Sequence, residues 1–409
     1  MRNAIRSAVH HLRTQGVWVV LGRIYLSGGA LLSSVLLARL MERDEMGVYR
    51  LVMSGINLVS ALALPGVFEV LIRHMPRGEF HIYPHLFIYR IKVSILAMIG
   101  FVVFCFFTFD LHSRDEVISL GLIALMLPLY LSSQMYEAGY QAQMKFRELS
   151  TIYVGRTTML LVGYLGAYLI LGSVYTSLAV MIGVMTAYHY WNHLRLKRDL
   201  AMQETEAAAP LGVASREALW ISIFTILPTV MENIDKILVE RSSGLDRLAV
   251  YSVGIALGLA INTFFKPFLN SINAKLVHRT PSAQHYLIVI VGGTLIGGVV
   301  SLLSPYLVPF MYGDSYAESV PFSVIVTMSM GLYLWKTLYF NHAMFNSRKK
   351  LKVVYFSNIA MASCAIAYML MVVIFVQDQD RLMLAFALAY PLKMIFSILS
   401  LWVFGRLFR

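Results

Sequence analysis

The sequence contains twelve apolar stretches, each long enough to cross the roughly 30 Å hydrocarbon core of a bilayer as a helix. They lie near residues 17–40, 46–72, 87–109, 117–140, 151–171, 174–194, 215–240, 247–274, 285–311, 317–345, 353–376 and 382–405. Hydrophobic residues make up 58% of the chain and charged residues only 14%, so a soluble globule of this composition would expose too much apolar surface. We therefore predict an all-α polytopic membrane protein.

A weak internal repeat divides these spans into two sets of six. When residues 36–77 are aligned with residues 238–279, seven of 42 positions are identical, among them Asp44/Asp246, Tyr49/Tyr251 and Pro65/Pro267. An offset of 203 aligns LYLSSQMY from Leu129 with LYLWKTLY from Leu332. Two similar spacings predict two lobes joined head to tail, residues 1–200 and 214–409, with a cytoplasmic linker at 201–213. Because six is even, the lobes are expected to be related by a pseudo-two-fold axis along the membrane normal.

The loop charges predict the orientation of the spans. Lys and Arg collect in alternate loops, which is typical of cytoplasmic loops, and Asp and Glu dominate the others. Both termini are therefore predicted to be cytoplasmic, and the first span is predicted to be retained rather than cleaved as a signal peptide. The net charge of +12 then follows from topology and from contact with anionic lipids, so no nucleic-acid partner is expected.

Charged residues inside the spans are the candidate functional groups, because each is costly in lipid. Arg23, Lys266, Lys336 and Lys393 lie too deep to reach the headgroups easily, and no carboxylate neighbours them in sequence. We predict that these four line a central cationic cavity and meet an incoming anionic group. Arg50 and Arg156 lie near span ends, where they either join that site or extend to the headgroups.

Other polar and proline residues have structural alternatives. Glu69 with Arg73 and Glu232 with Lys236 have the i, i+4 spacing of structural ion pairs, whereas Glu69, Glu232 and Asp235 are also candidates for coupling to H+ or Na+. Pro65 and Pro267 match between the halves and are predicted hinges. His189 and His193 have a metal-like spacing, but their aromatic neighbours favour an interfacial belt instead. We predict no metal site and no cofactor.

Several enzyme classes lack their signatures in this sequence. The chain contains no Walker loop, GxGxxG, nucleophile elbow or HExxH motif. No loop is large enough for a nucleotide-hydrolysing domain. A membrane transporter is therefore expected rather than an enzyme.

Three segments in the first half and two in the second carry a resemblance to a known family. They are the Leu-Ala-Arg-Leu run that ends the first span, the Gly47-Val48-Tyr49 turn, and Gly66 followed by a basic stretch; the run Asn233 to Leu238 and the segment Leu248 to Gly254 match the same signature in the second half. The chain resembles the Wzx-like O-antigen and polysaccharide flippases of the multidrug/oligosaccharidyl-lipid/polysaccharide (MOP) exporter superfamily. The resemblance is specific over about 60 residues at the start and 40 in the middle.

The resemblance implies a flippase of the bacterial inner membrane. Its substrate would be an undecaprenyl-pyrophosphate-linked oligosaccharide of lipopolysaccharide biosynthesis, such as an O-antigen repeat unit, moved from the inner to the outer leaflet by alternating access. The pyrophosphate would be the anion that meets the deep cations. Membrane lipids, a polysaccharide polymerase and a chain-length regulator would be its partners.

Two alternatives stay open at this point. An ion-coupled drug or metabolite exporter of the same superfamily would favour a cavity rich in carboxylates and aromatic rings, but here cations are in excess. A non-transporting membrane component of glycan assembly, such as a scaffold, ligase or polymerase, would be expected to tolerate loss of Lys393 or to carry a large outside loop.

Overall fold

The chain is helical throughout the part that its structure, a computed structural model, describes. That part comprises residues 2–109, 113–202, 211–276, 282–346 and 348–407, and no strand occurs among them. The helices are α1 (Arg2–Leu40), α2 (Arg43–Ser60), α3 (Val67–His74), α4 (Ile82–Thr108), α5 (Arg114–Ser133), α6 (Tyr136–Ala142), α7 (Phe146–Leu171), α8 (Val174–Ala201), α9 (Leu211–Leu276), α10 (Ala283–Tyr312), α11 (Val320–Met328), α12 (Met330–Asn346), α13 (Arg348–Phe375) and α14 (Gln379–Leu407). The predicted all-α polytopic class is confirmed.

Each of the twelve predicted spans coincides with a helix, a pair of short helices or one arm of α9. Within the described residues, eight helical stretches are long and apolar enough to cross a bilayer, and one of them, Leu211–Ile261, includes both arms of α9. Gly244 separates these arms, since its φ of 85° lies in the left-handed region that favours glycine. The chain can therefore reverse direction within one continuous helical run.

The second predicted span is broken at the predicted hinge. Helix α2 ends at Ser60 and α3 begins at Val67, with Leu64 at a φ of +52° and Pro65 between them. Proline has no backbone N–H and cannot continue the hydrogen-bond ladder, so the carbonyl groups before it need other partners. Movement at Pro65 stays a prediction.

Side chains are distributed as expected for a protein in lipid rather than water. Large apolar residues such as Phe106, Ile170 and Phe375 are more than three-quarters exposed, at 76%, 82% and 78%. Serines such as Ser94 and Ser132 are fully buried and face each other at 3.4 Å between their hydroxyl oxygens. Small polar residues between helices permit the close packing by which membrane helices associate.

The chain forms two compact units. The first unit contains residues 1–26 and 52–229, and the second contains residues 27–51 and 230–409. Relative to the predicted halves, residues 27–51 pack within the second unit and residues 214–229 within the first. The division into lobes at 201–213, the two-fold axis and the central cavity stay predictions.

Candidate functional site

A buried carboxylate organises the polar interior of the second unit. Asp235, in the first arm of α9, is only 1% exposed. The Tyr251 hydroxyl donates to its Oδ2 at 2.9 Å and the Tyr390 hydroxyl donates to the same atom at 3.2 Å. Tyr251 lies beyond the Gly244 break and Tyr390 lies in α14, so three helical segments meet at one carboxylate.

Two lysines complete this group of residues, which we call the Asp235 centre. The Lys236 ammonium lies 3.4 Å from Asp235 Oδ1 and donates to the Glu232 carbonyl oxygen at 2.9 Å. The Lys393 ammonium lies 3.8 Å from the centroid of the Tyr390 ring, a cation–π distance, and Lys393 is only 7% exposed. The Asp235 centre therefore consists of Asp235, Lys236, Tyr251, Tyr390 and Lys393.

The charges of the Asp235 centre differ from the sequence prediction. No carboxylate neighbours Lys393 in sequence, but the Tyr390 ring that its ammonium contacts belongs to a side chain whose hydroxyl donates to Asp235. The carboxylate that pairs with Lys236 is Asp235, and Glu232 contributes its backbone carbonyl instead of the predicted ion pair. Sequence spacing along one helix could not reveal the contribution of α14.

Lys336 faces a narrow pocket in the same unit. Its Nζ lies 3.1 Å from Met361 Sδ, a weak acceptor. The residues that line this pocket are Lys336, Tyr339, Val354, Asn358, Ser397 and Leu401, and the space between them is too narrow for a water molecule. The Ser397 hydroxyl is buried and has no hydrogen-bond partner among the described residues. An ammonium, an amide and a hydroxyl thus line one pocket.

Arg156 has a carboxylate partner in the first unit. Its Nη1 lies 2.8 Å from Glu137 Oε1, and the Tyr153 hydroxyl donates to Glu137 Oε2 at 3.2 Å. Because Glu137 already balances its charge, Arg156 is less suited to bind an anion than the sequence suggested.

Arg50 lies in the second unit and donates through Nη2 to the Ser34 hydroxyl. Its guanidinium lies 5.6 Å from the centroid of the Tyr49 ring, and its Nε is buried without a hydrogen-bond partner among the described residues. Arg50 therefore points inward rather than only toward headgroups.

Arg90 is a buried cation that was not among the predicted site residues. It is 3% exposed, and its Nε donates at 2.8 Å to the carbonyl oxygen of Ala63, in the break before Pro65. Its guanidinium also lies 4.7 Å from the centroid of the Phe68 ring. Its position inside the predicted span 87–109 could have identified it as a cation within the membrane.

His189 and His193 are core residues, so the interfacial belt predicted for them is wrong. Both are almost completely buried, and their Nδ1 atoms form 2.9 Å hydrogen bonds with the hydroxyls of Tyr136 and Tyr83, respectively. Their neighbour Trp191, 70% exposed, does lie on the surface. One end of a helix can carry both buried and exposed aromatic residues, because one face packs against other helices and the opposite face lies on the surface.

Charged residues connect the start of α9 to α3 and the turn after it, within the first unit. His74 Nδ1 lies 2.5 Å from Glu79 Oε2, and His74 Nε2 lies 3.0 Å from Glu217 Oε2. Arg73 Nη1 lies 2.8 Å from Glu217 Oε1, closer than the 4.0 Å from its Nη2 to Glu69, the partner predicted from sequence. We call Arg73, His74, Glu79 and Glu217 the His74 joint.

A second cluster joins the start of α2 to the second unit. Arg43 Nη1 lies 3.5 Å from Asp246 Oδ1, and Arg43 Nη2 lies 3.8 Å from Glu318 Oε1 and donates to the Ser315 carbonyl oxygen. We call Arg43, Asp246, Ser315 and Glu318 the Arg43 joint. The repeat pointed to Asp246, but nothing in the sequence pointed to its partner.

Three predicted residues lie outside the part of the chain whose side chains are described. They are Arg23 in α1, and Lys266 and Pro267 in the second arm of α9. Their predicted roles stay predictions.

Comparisons with known proteins agree with this architecture. A family model described as a polysaccharide biosynthesis protein matches residues 36–321. No curated protein sequence matches the chain.

Solved structures of transporters share the fold. An inward-facing multidrug resistance MATE family transporter of the MOP superfamily is similar with a TM-score of 0.64 and 11% identity over 95% of this chain and 94% of that one. A mutant of the Vibrio cholerae MATE transporter VcmN gives 0.63 and 11% over 98% of both chains. A MOP superfamily transporter from Pyrococcus furiosus, whose binding pocket is described as reversed in polarity, gives 0.61 and 11% over 97% and 95%. At these identities the likeness shows the fold alone.

Proposed function

Because the chain belongs to the polysaccharide biosynthesis protein family and has the fold of MOP superfamily transporters, we propose that it is a lipid-linked oligosaccharide flippase. Its substrate is a polyprenyl-pyrophosphate-linked oligosaccharide, of which an O-antigen repeat unit is the example that the sequence resemblance suggests. The substrate moves from the cytoplasmic to the outer leaflet of the bacterial inner membrane.

A glycan needs such a carrier because of its hydroxyl groups. Each polar group left without a partner in hydrocarbon costs several kcal/mol. A protein interior rich in serine, tyrosine and charged side chains supplies partners, while the polyprenyl tail stays in the bilayer. Alternating access then moves the head group without moving the tail through water.

The observation that carries this proposal is the burial of Lys393. Its ammonium lies deep in α14 against the Tyr390 ring, and among the described residues it forms no direct ion pair with a carboxylate. The hydroxyl of the same Tyr390 side chain donates to Asp235 Oδ2 at 3.2 Å, so the ring links the ammonium to the buried carboxylate without occupying the donors of Lys393. An ammonium held in this way can bind a phosphate oxygen in a low-dielectric space, where such a contact is strong.

The pocket of Lys336 supports the same chemistry. It places an ammonium beside the Asn358 amide and the unpartnered Ser397 hydroxyl, and all three groups can donate hydrogen bonds to an oxyanion. In a conformation that widens this pocket, Lys336 would donate to a phosphate oxygen of the substrate.

Reconstitution tests the proposal. Proteoliposomes receive a fluorescent polyprenyl-pyrophosphate glycan, and a membrane-impermeant quencher reports the fraction that has crossed. Lys393→Met is expected to reduce the rate by about tenfold or more, since a charged hydrogen bond contributes about 1.5–3 kcal/mol. Lys393→Arg is expected to retain part of the activity.

A matched control guards against nonspecific effects of charge. Lys197→Met removes an exposed lysine of α8 and is expected to leave the rate unchanged. Normal transport by a folded Lys393→Met protein would contradict the role of Lys393, and no transport by the unaltered chain would contradict the function.

One observation favours a second candidate, the export of an organic cation. A buried carboxylate that accepts hydrogen bonds from two tyrosines is a chemistry that suits a cationic ligand. Asp235→Asn would then abolish efflux of a fluorescent cation, whereas a glycan flippase would show no such efflux with or without the substitution.

A further inference from the structure

The His74 joint is built around an imidazole that touches two carboxylates. Both ring nitrogens of His74 lie within hydrogen-bond distance of a glutamate oxygen, Glu79 on one side and Glu217 on the other. A neutral imidazole has one N–H donor and one lone pair, so it can donate to only one carboxylate. The geometry therefore requires one additional proton.

That requirement does not depend on which atom carries the proton. Arg73 also donates to Glu217, at 2.8 Å, and favours its ionised form. If His74 is the doubly protonated imidazolium, it donates to both glutamates. If Glu79 carries the proton instead, it donates to the ring, and the joint still holds one proton more than a neutral imidazole between two carboxylates.

We propose that the His74 joint is a proton-binding site that closes the start of α9 onto α3 and the turn after it. When the proton is bound, His74 connects Glu79 of that turn to Glu217 of α9. When it leaves, a ring lone pair faces a carboxylate oxygen, the contact becomes repulsive, and the joint opens. Since the closed form binds the proton more tightly, acidification favours closing and alkalinisation favours opening.

The charged groups around His74 support this assignment. The side chains of His74 and Glu79 are only 12% and 16% exposed, so water screens their interaction weakly. From α3, Arg73 lies beside the ring and Glu69 lies 4.0 Å from Arg73; from α9, Glu217 is the charged contact. Arg73 and His74 are the charged groups that act on Glu217.

The other contacts at the start of α9 do not need a second proton. The Ser215 hydroxyl lies 3.1 Å from His85 Nε2, and the backbone N–H of Gly66 donates to the Ser222 hydroxyl at 3.0 Å. A hydroxyl can donate or accept, so it is compatible with a neutral His85. Neither contact depends on the proton of the His74 joint, and His85 provides a matched control for His74.

This proton-binding site would regulate the proposed flippase, so its biological role rests on the proposed function. The joint lies on the side predicted to face the cytoplasm, where the lipid-linked substrate is loaded. Release of the proton to the cytoplasm would open this side to substrate, and binding of the proton would close it.

Cysteine accessibility tests the joint without any substrate. In the full chain in proteoliposomes, Ala218→Cys in α9, a position that is fully buried, is combined with removal of the two native cysteines, Cys105 and Cys364. The rate of labelling by a water-soluble maleimide is divided at each pH by the rate for the unfolded protein, which removes the pH dependence of the thiol itself. The normalised rate is expected to rise about tenfold from the most acidic to the most alkaline buffer that the protein tolerates, which is the ratio for loss of one charge-assisted hydrogen bond.

Two variants are expected to remove this pH dependence in opposite directions. His74→Arg keeps a permanent cation with several donors, so labelling should stay slow at every pH. His74→Gln has no charge, so labelling should be fast at every pH. His85→Gln should retain the rise seen in the unaltered chain.

A pH-independent rate in the unaltered chain, or a rise that persists in His74→Arg, would overturn the inference. If His74→Gln fails to fold, Glu79→Gln takes its place, because it also removes one of the two carboxylates and should abolish the rise. If the labelling rate rises with pH but the protein moves no glycan, the proposed function is overturned and the proton-binding joint stands. If the protein moves glycan but the labelling rate does not rise with pH, the joint is overturned and the proposed function stands.

Discussion

The His74 joint and the Arg43 joint attach chain segments by different chemistry. In the first unit, the central group is an imidazole, which donates to both glutamates only when it carries a second proton. In the second unit, the guanidinium of Arg43 stays protonated at any physiological pH. The side chains also differ in exposure: His74 is 12% exposed, whereas Arg43, Asp246 and Glu318 are 28%, 44% and 55% exposed. The first joint is therefore suited to respond to protons and the second to respond to ionic strength.

The two joints share one feature, a glycine that lets two backbones meet. At Gly66, a Cβ atom would lie 2.8 Å from Ile221 Cβ and 2.9 Å from Ser222 N. At Gly47, a Cβ atom would lie 2.7 Å from the carbonyl carbon of Leu245, next to the Gly244 break. The charged contacts differ, but both depend on a separation that only glycine permits.

The largest effect is expected when the shared glycine is replaced. Gly47→Ala and Gly66→Ala are each expected to lower the free energy of unfolding by about 1–3 kcal/mol, because the new methyl group overpacks a backbone contact. Thermal unfolding followed by tryptophan fluorescence measures the change. Gly166→Ala is the control, since its Cβ would meet nothing within 4 Å, and alanine in a helix is favourable. If all three variants unfold alike, close approach does not hold the joints.

A smaller effect separates the joints by their response to salt. Arg43→Gln is expected to lower the stability of the second unit by about 1 kcal/mol at low ionic strength and by much less in about 1 M salt, because exposed ion pairs are screened. The same comparison for His74→Gln should depend less on salt, since that site is more buried. Unfolding curves in the two buffers give the difference. Equal salt dependence would remove the distinction drawn from exposure.

The smallest effect concerns the rim of the Arg43 joint. Glu318 lies 2.9 Å from Arg247 and 3.8 Å from Arg43, but it is more than half exposed. Glu318→Gln is therefore expected to change the free energy of unfolding by only about 0.5 kcal/mol. A loss as large as that of Arg43→Gln would mean that Glu318, and not Asp246, is the main partner of Arg43.

The sequence predicted the spans well because hydropathy is a local property. Each apolar stretch became helical near its expected ends, and the break at Pro65 followed from the missing N–H. The breaks between α5 and α6 and between α11 and α12 could not be predicted from the sequence. The residues there, such as Ser329, include no proline that would interrupt the helix.

The partners of the buried charges could not be predicted in the same way. Spacing along one helix suggested Glu232 for Lys236 and Glu69 for Arg73, whereas Asp235 and Glu217 lie closer to those cations. Asp235 lies next to Lys236 on the same helix, so side-chain geometry rather than spacing decides that pair. Glu217 lies on a different helix from Arg73, and such a partner is fixed by packing, which a single sequence does not encode locally. The aromatic residues around His189 were misinterpreted for the same reason. In sequence, a helix face that is buried by packing has the same composition as an interfacial aromatic belt.

The contact between Arg90 and the Ala63 carbonyl has a mechanical consequence. The guanidinium belongs to α4, yet it fastens the bend between α2 and α3, so the angle at that bend is set from a neighbouring helix. Any rotation there must either carry α4 along or leave a carbonyl and a guanidinium stranded in a dry interior. Because the same guanidinium also lies 4.7 Å from the centroid of the Phe68 ring in α3, it contacts the chain on both sides of Pro65, and a change in the angle at the bend would have to break one of these two contacts.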